Sequence, residues 1–230
     1  MSTGRTEDVI WLRPEQASVG RPAERSRAEI TAAAVALADR EGLDAVSMRR
    51  LAGELGTGAA SLYRYLATRD DLLDLMTDAT GAEYALAPPS GDWLADLVAV
   101  GRQARAIMRR HPWLPALVAT RPTLGPNGAA LLEHVLAVLA DHPAAAAIKL
   151  EAFAMLNAVT TALVQHELGG GEEARRRQAG YLWHLAQQGE HPHLAELLGR
   201  LAPAPPGADD TADDILARVL SGILAAGPAC

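Results

Sequence analysis

Between Ser47 and Arg69 the chain reads SMRRLAGELGTGAASLYRYLATR, with four arginines against a single acid, Glu54. The guanidinium groups of Arg49, Arg50, Arg64 and Arg69, with the hydroxyls of Ser47, Ser61, Tyr63 and Tyr65, are donors that phosphate oxygens and base edges accept from. Between them Gly58, Ala59, Ala60 and Ser61 carry almost no side-chain bulk, which lets a helix backbone approach a phosphate strand and the floor of a major groove. The chemistry on offer is recognition of double-stranded DNA by hydrogen bonds, with no covalent step. The segment carries +3 in a chain of net charge −7, which leaves −10 elsewhere. An acidic body behind a basic face repels phosphate wherever that face is not engaged, so the balance favours selective binding.

Two short helices on either side of a glycine turn must position these groups. Met48, Leu51 and Leu55 recur at helical spacing, Ser47 stands where its oxygen caps the first free amides, and Gly56 tolerates positive φ at a helix end. The pattern LAxxLG alone marks any packed helix with a glycine cap, and its flanks are what distinguish it. Ser26-Arg27-Ala28-Glu29 fits a capping box ahead of an apolar stripe of Ile30, Ala34, Leu37 and Ala38 that runs up to Gly42. Thr68-Arg69-Asp70-Asp71 repeats that start before Leu72, Leu73, Leu75, Met76 and Ala79, with two acids in the positive first turn. A three-helix head with a helix-turn-helix, leading into a fourth helix, is expected over residues 25–87, with Pro88-Pro89-Ser90-Gly91 ending that helix. Residues 1–24 mix three arginines and four acids with Trp11, Pro14 and Pro22 and show no helical period. They read as a flexible arm, disordered or packed onto the head; the alternative is that Arg5, Arg13 and Arg21 reach a minor groove.

Residues 91–227 read as a larger helical domain, so the fold is all-α. Trp93, Leu94, Leu97, Val98, Ala104, Ile107 and Met108 trace one helix up to His111-Pro112, and a short segment from Trp113 to Ala119 follows. Another helix starts at Pro126-Asn127. After Pro143 a long helix to Leu168 is apolar nearly all round, as expected for burial on more than one side. Its Asn157, Thr160 and Thr161 sit at i, i+3, i+4, where they either line a pocket or bond to the preceding turn. Further helices are expected from Glu172 to Gln188 and from Pro192 to Leu201. The last helix carries Ile215, Leu216, Val219, Leu220, Ile223 and Leu224 along one face, which serves either its own body or a partner subunit.

Several classes are excluded. No apolar run is as long and as free of charge as a membrane span, and no signal-peptide core follows Met1, so a cytoplasmic location without membrane association is the expectation. Cys230 is the only cysteine, which rules out a disulfide framework or a cysteine metal cage. His184, His191 and His193 could in principle bind a metal, but no cysteine or paired carboxylate completes a site and a surface turn is the preferred reading. No catalytic constellation, metal or cofactor is expected.

Residues Arg25 to Met76, with the string GLDAVSMRRLAGELGTGAASLYRYLATRDDLLDLM, resemble the N-terminal domain of the tetracycline-repressor (TetR) family of bacterial transcriptional regulators. The resemblance implies that Ser47 caps the second helix beside a phosphate and Arg49 reaches the bases. It makes Ala59, Ala60 and Ser61 the recognition face, with Tyr63, Tyr65 and Arg69 gripping the backbone; Gly58 and Arg50 belong to the same surface. Arg64 departs from the bulky aromatic of the founding repressor, so the base code is not transferred. The stretch TRPTLGPNGAALLEHVLAVL resembles the family's C-terminal domain more loosely, and Thr120-Arg121-Pro122 aligns with the loop beside the metal-bound drug. Leu117 falls where the metal-ligating histidine stands, and Gln165 where an acid is expected. The implied protein is a homodimeric repressor that releases a palindromic operator when a small molecule enters the body. The expected ligand is metal-independent and largely apolar, contacted by residues among Met108, Trp113, Leu117, Phe153, Asn157, Thr161 and Gln165. An activator or ligand-independent regulator is the alternative within the class; a helical small-molecule-binding protein or enzyme whose head serves only packing is the alternative outside it.

Overall fold

The computed structural model describes residues 9–13, 25–121, 124–169, 172–200 and 208–225, and among them every regular element is a helix. The head comprises α1 (Arg27–Glu41), α2 (Met48–Glu54), α3 (Ala59–Leu62) and α4 (Arg69–Gly81). Behind it come α5 (Trp93–Arg110), α6 (Leu114–Thr120), α7 (Pro126–Val138), α8 (Ala146–Gly169), α9 (Glu172–Gln187), α10 (Pro192–Arg200) and α11 (Ala208–Ala225).

Side-chain caps set the head's boundaries. Ser26 Oγ accepts from the Glu29 amide at 3.1 Å, and Ser47 Oγ from the Arg50 amide at 3.2 Å. At α4 the capping box closes both ways: Thr68 Oγ1 accepts from the Asp71 amide at 3.0 Å, and Asp71 Oδ2 from the Thr68 amide at 2.9 Å. At α1 it closes only one way, because the Glu29 carboxylate pairs with Arg25 instead. Gly56 takes φ +63° between α2 and α3, a conformation strained for any residue with a Cβ. Ile30, Leu37, Leu51, Leu62, Leu66, Leu72 and Met76 are completely buried beneath this frame.

Of the two expectations for the arm, disorder or packing onto the head, the segment 9–13 follows the second. Ile10–Leu12 form one 3₁₀ turn, Ile10 is buried in the head core, and Arg27 Nη1 donates to the carbonyls of Ile10 at 3.1 Å and Arg13 at 2.8 Å. Arg13 itself pairs with Asp71, so it is turned inward to the head. Three residues are too few to show a period, and Ile10 and Trp11 gain their stability from contacts distant in sequence. Arg5 and Arg21 lie outside the described residues.

The fourth helix ends at Gly81, seven residues short of Pro88. There α4 meets α7 so closely that a Cβ on Gly81 would stand 2.9 Å from that of Asn127. Asp78 holds the start of α7, with Oδ1 accepting from the Gly128 amide at 3.0 Å and Oδ2 from Asn127 Nδ2 at 3.2 Å. The segment from Trp113 to Ala119, expected only as a link, is largely α6, with Pro115 in its first turn where the missing amide costs nothing.

α8 is the axis of the body, packed by α5, α6, α7 and α11. It is long and apolar enough to cross a membrane by length and composition, yet Leu156, Thr160 and Val164 are buried against neighbouring helices. Leu150 and Leu168 on the same helix remain 49% and 47% exposed. The final stripe splits into two rows. Leu216, Leu220 and Leu224 are buried in the body's own core, whereas Ile215, Val219 and Ile223 are half-buried beside them. The core of the head continues through Ile107, Met108, Trp113, Leu114, Leu117 and Val164, so the head and the first layer of the body share one apolar interior.

Candidate DNA-binding face and ligand cavity

The turn at Gly56 sets α2 and α3 against each other, with α3 opening at Gly58 in extended conformation. Arg49 is exposed and makes no hydrogen bond or ion pair among the described residues. Its neighbour Arg50 is engaged, at 2.8 Å from Glu41 and 3.5 Å from Glu54; Arg40 shares the same two carboxylates. Ala60 is exposed, Ala59 and Ser61 are half-buried, and Arg64 Nη2 donates to Ser61 Oγ at 3.3 Å. Tyr63 is 53% exposed with its hydroxyl available. Tyr65 is only 6% exposed, its ring in the head core and its carbonyl taking a bond from Arg27 Nε. The expectation that Tyr65 grips a backbone is therefore corrected: both tyrosines lie in the turn that follows α3, and packing into the head core takes Tyr65 inward while Tyr63 stays outside. Arg69 is exposed, with Nε anchored on the Val46 carbonyl at 3.2 Å and the rest of its guanidinium outward.

Behind the head, α4, α5, α6, α7 and α8 line a partly open cavity of about 460 Å³. Of the residues expected to contact a ligand, Met108, Phe153 and Asn157 line it. Trp113, Leu117, Thr161 and Gln165 do not. On α6 the cavity faces are Leu114, Val118 and Arg121, at i, i+4, i+7, which turns Leu117 into the apolar core. The Trp113 indole donates to Asp39 Oδ1 at 2.7 Å, Thr161 Oγ1 lies 3.9 Å from Met108 Sδ inside the core, and Gln165 is exposed two turns beyond Asn157. The threonines do not bond to the preceding turn either: Thr160 Oγ1 is buried with no hydrogen-bond partner among the described residues.

The sequence reading overlooked the wall contributed by α4 and the residues just after it: Thr77, Asp78, Thr80, Gly81 and Tyr84. The signal was there, since Thr77, Thr80 and Gly81 at i, i+3, i+4 interrupt an otherwise leucine-rich helix with small residues. The Thr77 hydroxyl donates to the Leu73 carbonyl and that of Thr80 to the Thr77 carbonyl, so both are satisfied within α4. Burial pushes the Tyr84 phenol well above its ordinary pKa, which keeps a neutral hydroxyl in the wall. Asn157 Nδ2 donates to the Phe153 carbonyl at 3.0 Å and leaves its Oδ1 as an acceptor. Arg121 bridges Asp74 at 2.9 Å and Asp70 at 3.0 Å, tying the end of α6 to α4. Among the described residues no group of three or more histidine, cysteine, aspartate or glutamate side chains could hold a metal ion.

The head meets the body at a second polar junction. His111 Nδ1 lies 2.7 Å from Asp39 of α1, and its Nε2 lies 2.7 Å from Glu83. A carboxylate at each ring nitrogen requires the imidazolium form for both contacts to be hydrogen bonds. Burial opposes that charge, but the bonds to Asp39 and Glu83 outweigh it and raise the His111 pKa above its ordinary value. Burial likewise opposes the Glu83 carboxylate, and bonds from Arg110 and His111 outweigh it and hold Glu83 below the ordinary range.

This arrangement, a helix-turn-helix head joined by one long helix to a cavity-bearing helical body, matches known proteins over both parts. Residues 86–226 match the family described as "Tetracyclin repressor-like, C-terminal domain", and residues 30–76 match "Bacterial regulatory proteins, tetR family". The chain belongs to the TetR family. A TetR-family chain of this kind is a DNA-binding transcriptional regulator by class. An HTH-type transcriptional regulator of Saccharopolyspora erythraea is 43% identical over 133 residues, which cover 57% of this chain and 56% of the relative. The HTH-type transcriptional repressor DrrR1 of Streptomyces coeruleorubidus is 41% identical over 137 residues, covering 59% of this chain and 51% of the repressor. The chain thus spans about half the length of these two relatives. Among solved structures, Streptomyces coelicolor ActR in complex with (S)-DNPA superposes with a TM-score of 0.78 at 31% identity, over 88% of this chain and 98% of that one. ActR has also been solved with actinorhodin bound.

Proposed function

We propose that this TetR-family regulator is a cytoplasmic, non-enzymatic repressor that binds a palindromic operator as a homodimer and leaves it when a small organic molecule fills the cavity. The observation that carries this reading is that α4 belongs to both sites. Its first turns bear Arg69 and pack Leu72 and Met76 into the head, and its last turn supplies Thr77, Asp78, Thr80 and Gly81 to the cavity wall. Asp70, Asp74 and Asp78 bolt it to α6 and α7. A ligand that binds better to a displaced α4 shifts the pair of heads away from operator spacing, by its differential affinity for the two arrangements. The structures of ActR with (S)-DNPA and with actinorhodin support a small-molecule occupant for a body of this shape.

Assignment of contacts follows exposure. Arg49 reads a base edge; Ser47, Tyr63 and Arg69 hold phosphates; Gly58, Ala59, Ala60 and Ser61 allow close approach, with Arg64 at their rim. The apolar groups left open on α8, Leu150 and Leu168, and the half-buried row Ile215, Val219 and Ile223 on α11 form the surface for the second subunit. The ligand needs no metal, since Leu117 and Gln165 offer no anionic ligand and neither reaches the cavity.

A mobility-shift titration on the DNA flanking the protein's own gene tests the reading. Binding to a palindromic segment is expected at nanomolar protein, with release by a cavity ligand that persists in chelator. Failure to bind any such segment, with the protein folded and dimeric, would refute the operator assignment. Tight magnesium-dependent tetracycline binding that releases DNA would refute the metal-free cavity.

A further inference from the structure

The cavity's charge selects among ligands. Among the described residues its only lining cation is Arg121, and that guanidinium is held by two carboxylates, Asp74 through Nε at 3.2 Å and Nη2 at 2.9 Å, and Asp70 through Nη1 at 3.0 Å. Asp78 adds a third carboxylate directly in the wall. Three hydrogen bonds from Asn127 and Gly128 satisfy most of its acceptor capacity, but no cation among the described residues pairs with it. Asp70 faces solvent, but with Arg121 paired to Asp74 one cation stands against the two carboxylates of Asp74 and Asp78, a negative formal balance at the wall. Three of the five guanidinium N–H groups are committed to Asp74 and Asp70, so an anionic ligand using the remaining two would share a cation already paired and place its own charge near Asp78 in a largely apolar wall, which is costly.

The remaining wall groups point the same way. Asn157 Oδ1 is an acceptor without an internal donor, and the Tyr84 hydroxyl is neutral and makes no hydrogen bond among the described residues. Tyr84 and Phe153 bring two aromatic rings to the lining, the side-chain type whose π-systems attract a cation. On these grounds we infer that the effector is an apolar, ring-containing molecule bearing a protonated amine and no carboxylate. The inference rests on the cavity being the effector site, and it goes beyond that reading by fixing the sign of the ligand's charge.

Three tricyclic probes of matched size separate the two claims: 9-aminoacridine, a cation at neutral pH; 9-anthracenemethanol, neutral; and anthracene-9-carboxylate, an anion. Binding to the full-length dimer, without DNA and at physiological salt, is followed by tryptophan fluorescence, and competition with the neutral probe reports the shared site. The cation is expected to bind at least about tenfold tighter than the anion, with the neutral compound between them. In Asp74→Asn, which leaves Arg121 a partner in Asp70, the gap should narrow severalfold; Asp78→Asn should narrow it too, and circular dichroism shows whether α7 survives. A gap unchanged in a folded Asp74→Asn protein would place the cation elsewhere on the acidic surface and overturn the proposal. Anion binding equal to or tighter than cation binding overturns the charge assignment while leaving the cavity as an effector site. If none of the three binds, the cavity itself is not the effector site.

Discussion

Arg49 and Arg105 are both helical arginines, and they stand at opposite extremes. Arg49 is exposed on α2 with no partner among the described residues, whereas Arg105 on α5 is 4% exposed and lies 2.8 Å from Glu167 of α8. Burial by itself would raise the Glu167 carboxyl, yet bonds from Arg105 and Arg109 hold it below the ordinary range, so the body's ion pair stays charged. A hydrated, unpaired guanidinium can exchange its water for a base edge; a desolvated one is committed to its neighbours. Arg49 thus keeps its charge available, whereas Arg105 commits its charge to holding α5 to α8.

Breaking the body's own core should have the largest effect. Leu220→Glu places a carboxylate at a completely buried position among α5, α8 and α11, and should cost more than about 4 kcal/mol, enough to unfold the body. Of the two uses the sequence leaves open for the final stripe, its own body or a partner subunit, Leu220 serves the first. Leu150→Glu, at a half-exposed site on α8, should leave thermal stability nearly unchanged and weaken self-association. Melting curves and sedimentation of the two variants side by side check the distinction, and a well-folded monomeric Leu220→Glu protein would contradict it.

On the head, the contrast lies between adjacent residues. Arg49→Ala should lose roughly 1–3 kcal/mol of specific binding and relax preference at one base pair per half-site. Arg50→Ala should change specificity little, because its charge is already spent on Glu41 and Glu54. Selection of binding sites from a random pool by each variant decides between them; unchanged preference for the Arg49 variant would remove it from base reading.

A smaller effect is expected where α4 enters the head. Thr68→Ala removes one side of the closed capping box and should cost about 1 kcal/mol by denaturant titration. Since α4 serves both regions, the same variant should lower DNA affinity and sharpen effector release together, whereas a variant confined to one region would move only one of them.

The smallest effect is set by pH, at the junction of the two regions. A raised His111 pKa contributes stability that is fully present below the ordinary imidazole value and fades as pH rises through the raised one. A lowered Glu83 pKa contributes stability present above the ordinary carboxyl value and lost on acidification. The staple between α1 and α5 is therefore strongest at roughly pH 5–6.5. The difference in Tm between the wild type and His111→Gln should be widest in that window and shrink toward pH 9; a gap that grows with pH would exclude the imidazolium bridge.

The DNA-facing head was legible in the sequence because its signals are local. Ser26, Ser47 and Thr68 cap the amides three residues on, Gly56 makes its turn within the backbone, and the small residues at Gly58 to Ser61 state their purpose by their size. The reading erred where a side chain's direction depends on distant partners. Tyr65 carries the same hydroxyl as Tyr63, and only the packing of α1 against α4 turns it inward. The 3₁₀ turn at Ile10, the early end of α4 at Gly81 and the helix α6 all rest on contacts made across many residues. The cavity was half legible: Met108, Phe153 and Asn157 could be picked out, but the wall formed by α4 was missed, because the small residues Thr77, Thr80 and Gly81 mark a change of face without saying which neighbour lies against it. Composition and spacing determined the class, the caps and the basic face, since those follow from interactions within a few residues. Which carboxylates meet Arg121, which leucines of the final stripe are buried, and which residues line the cavity were decided only when the helices packed, because burial and charge pairing belong to the assembled chain.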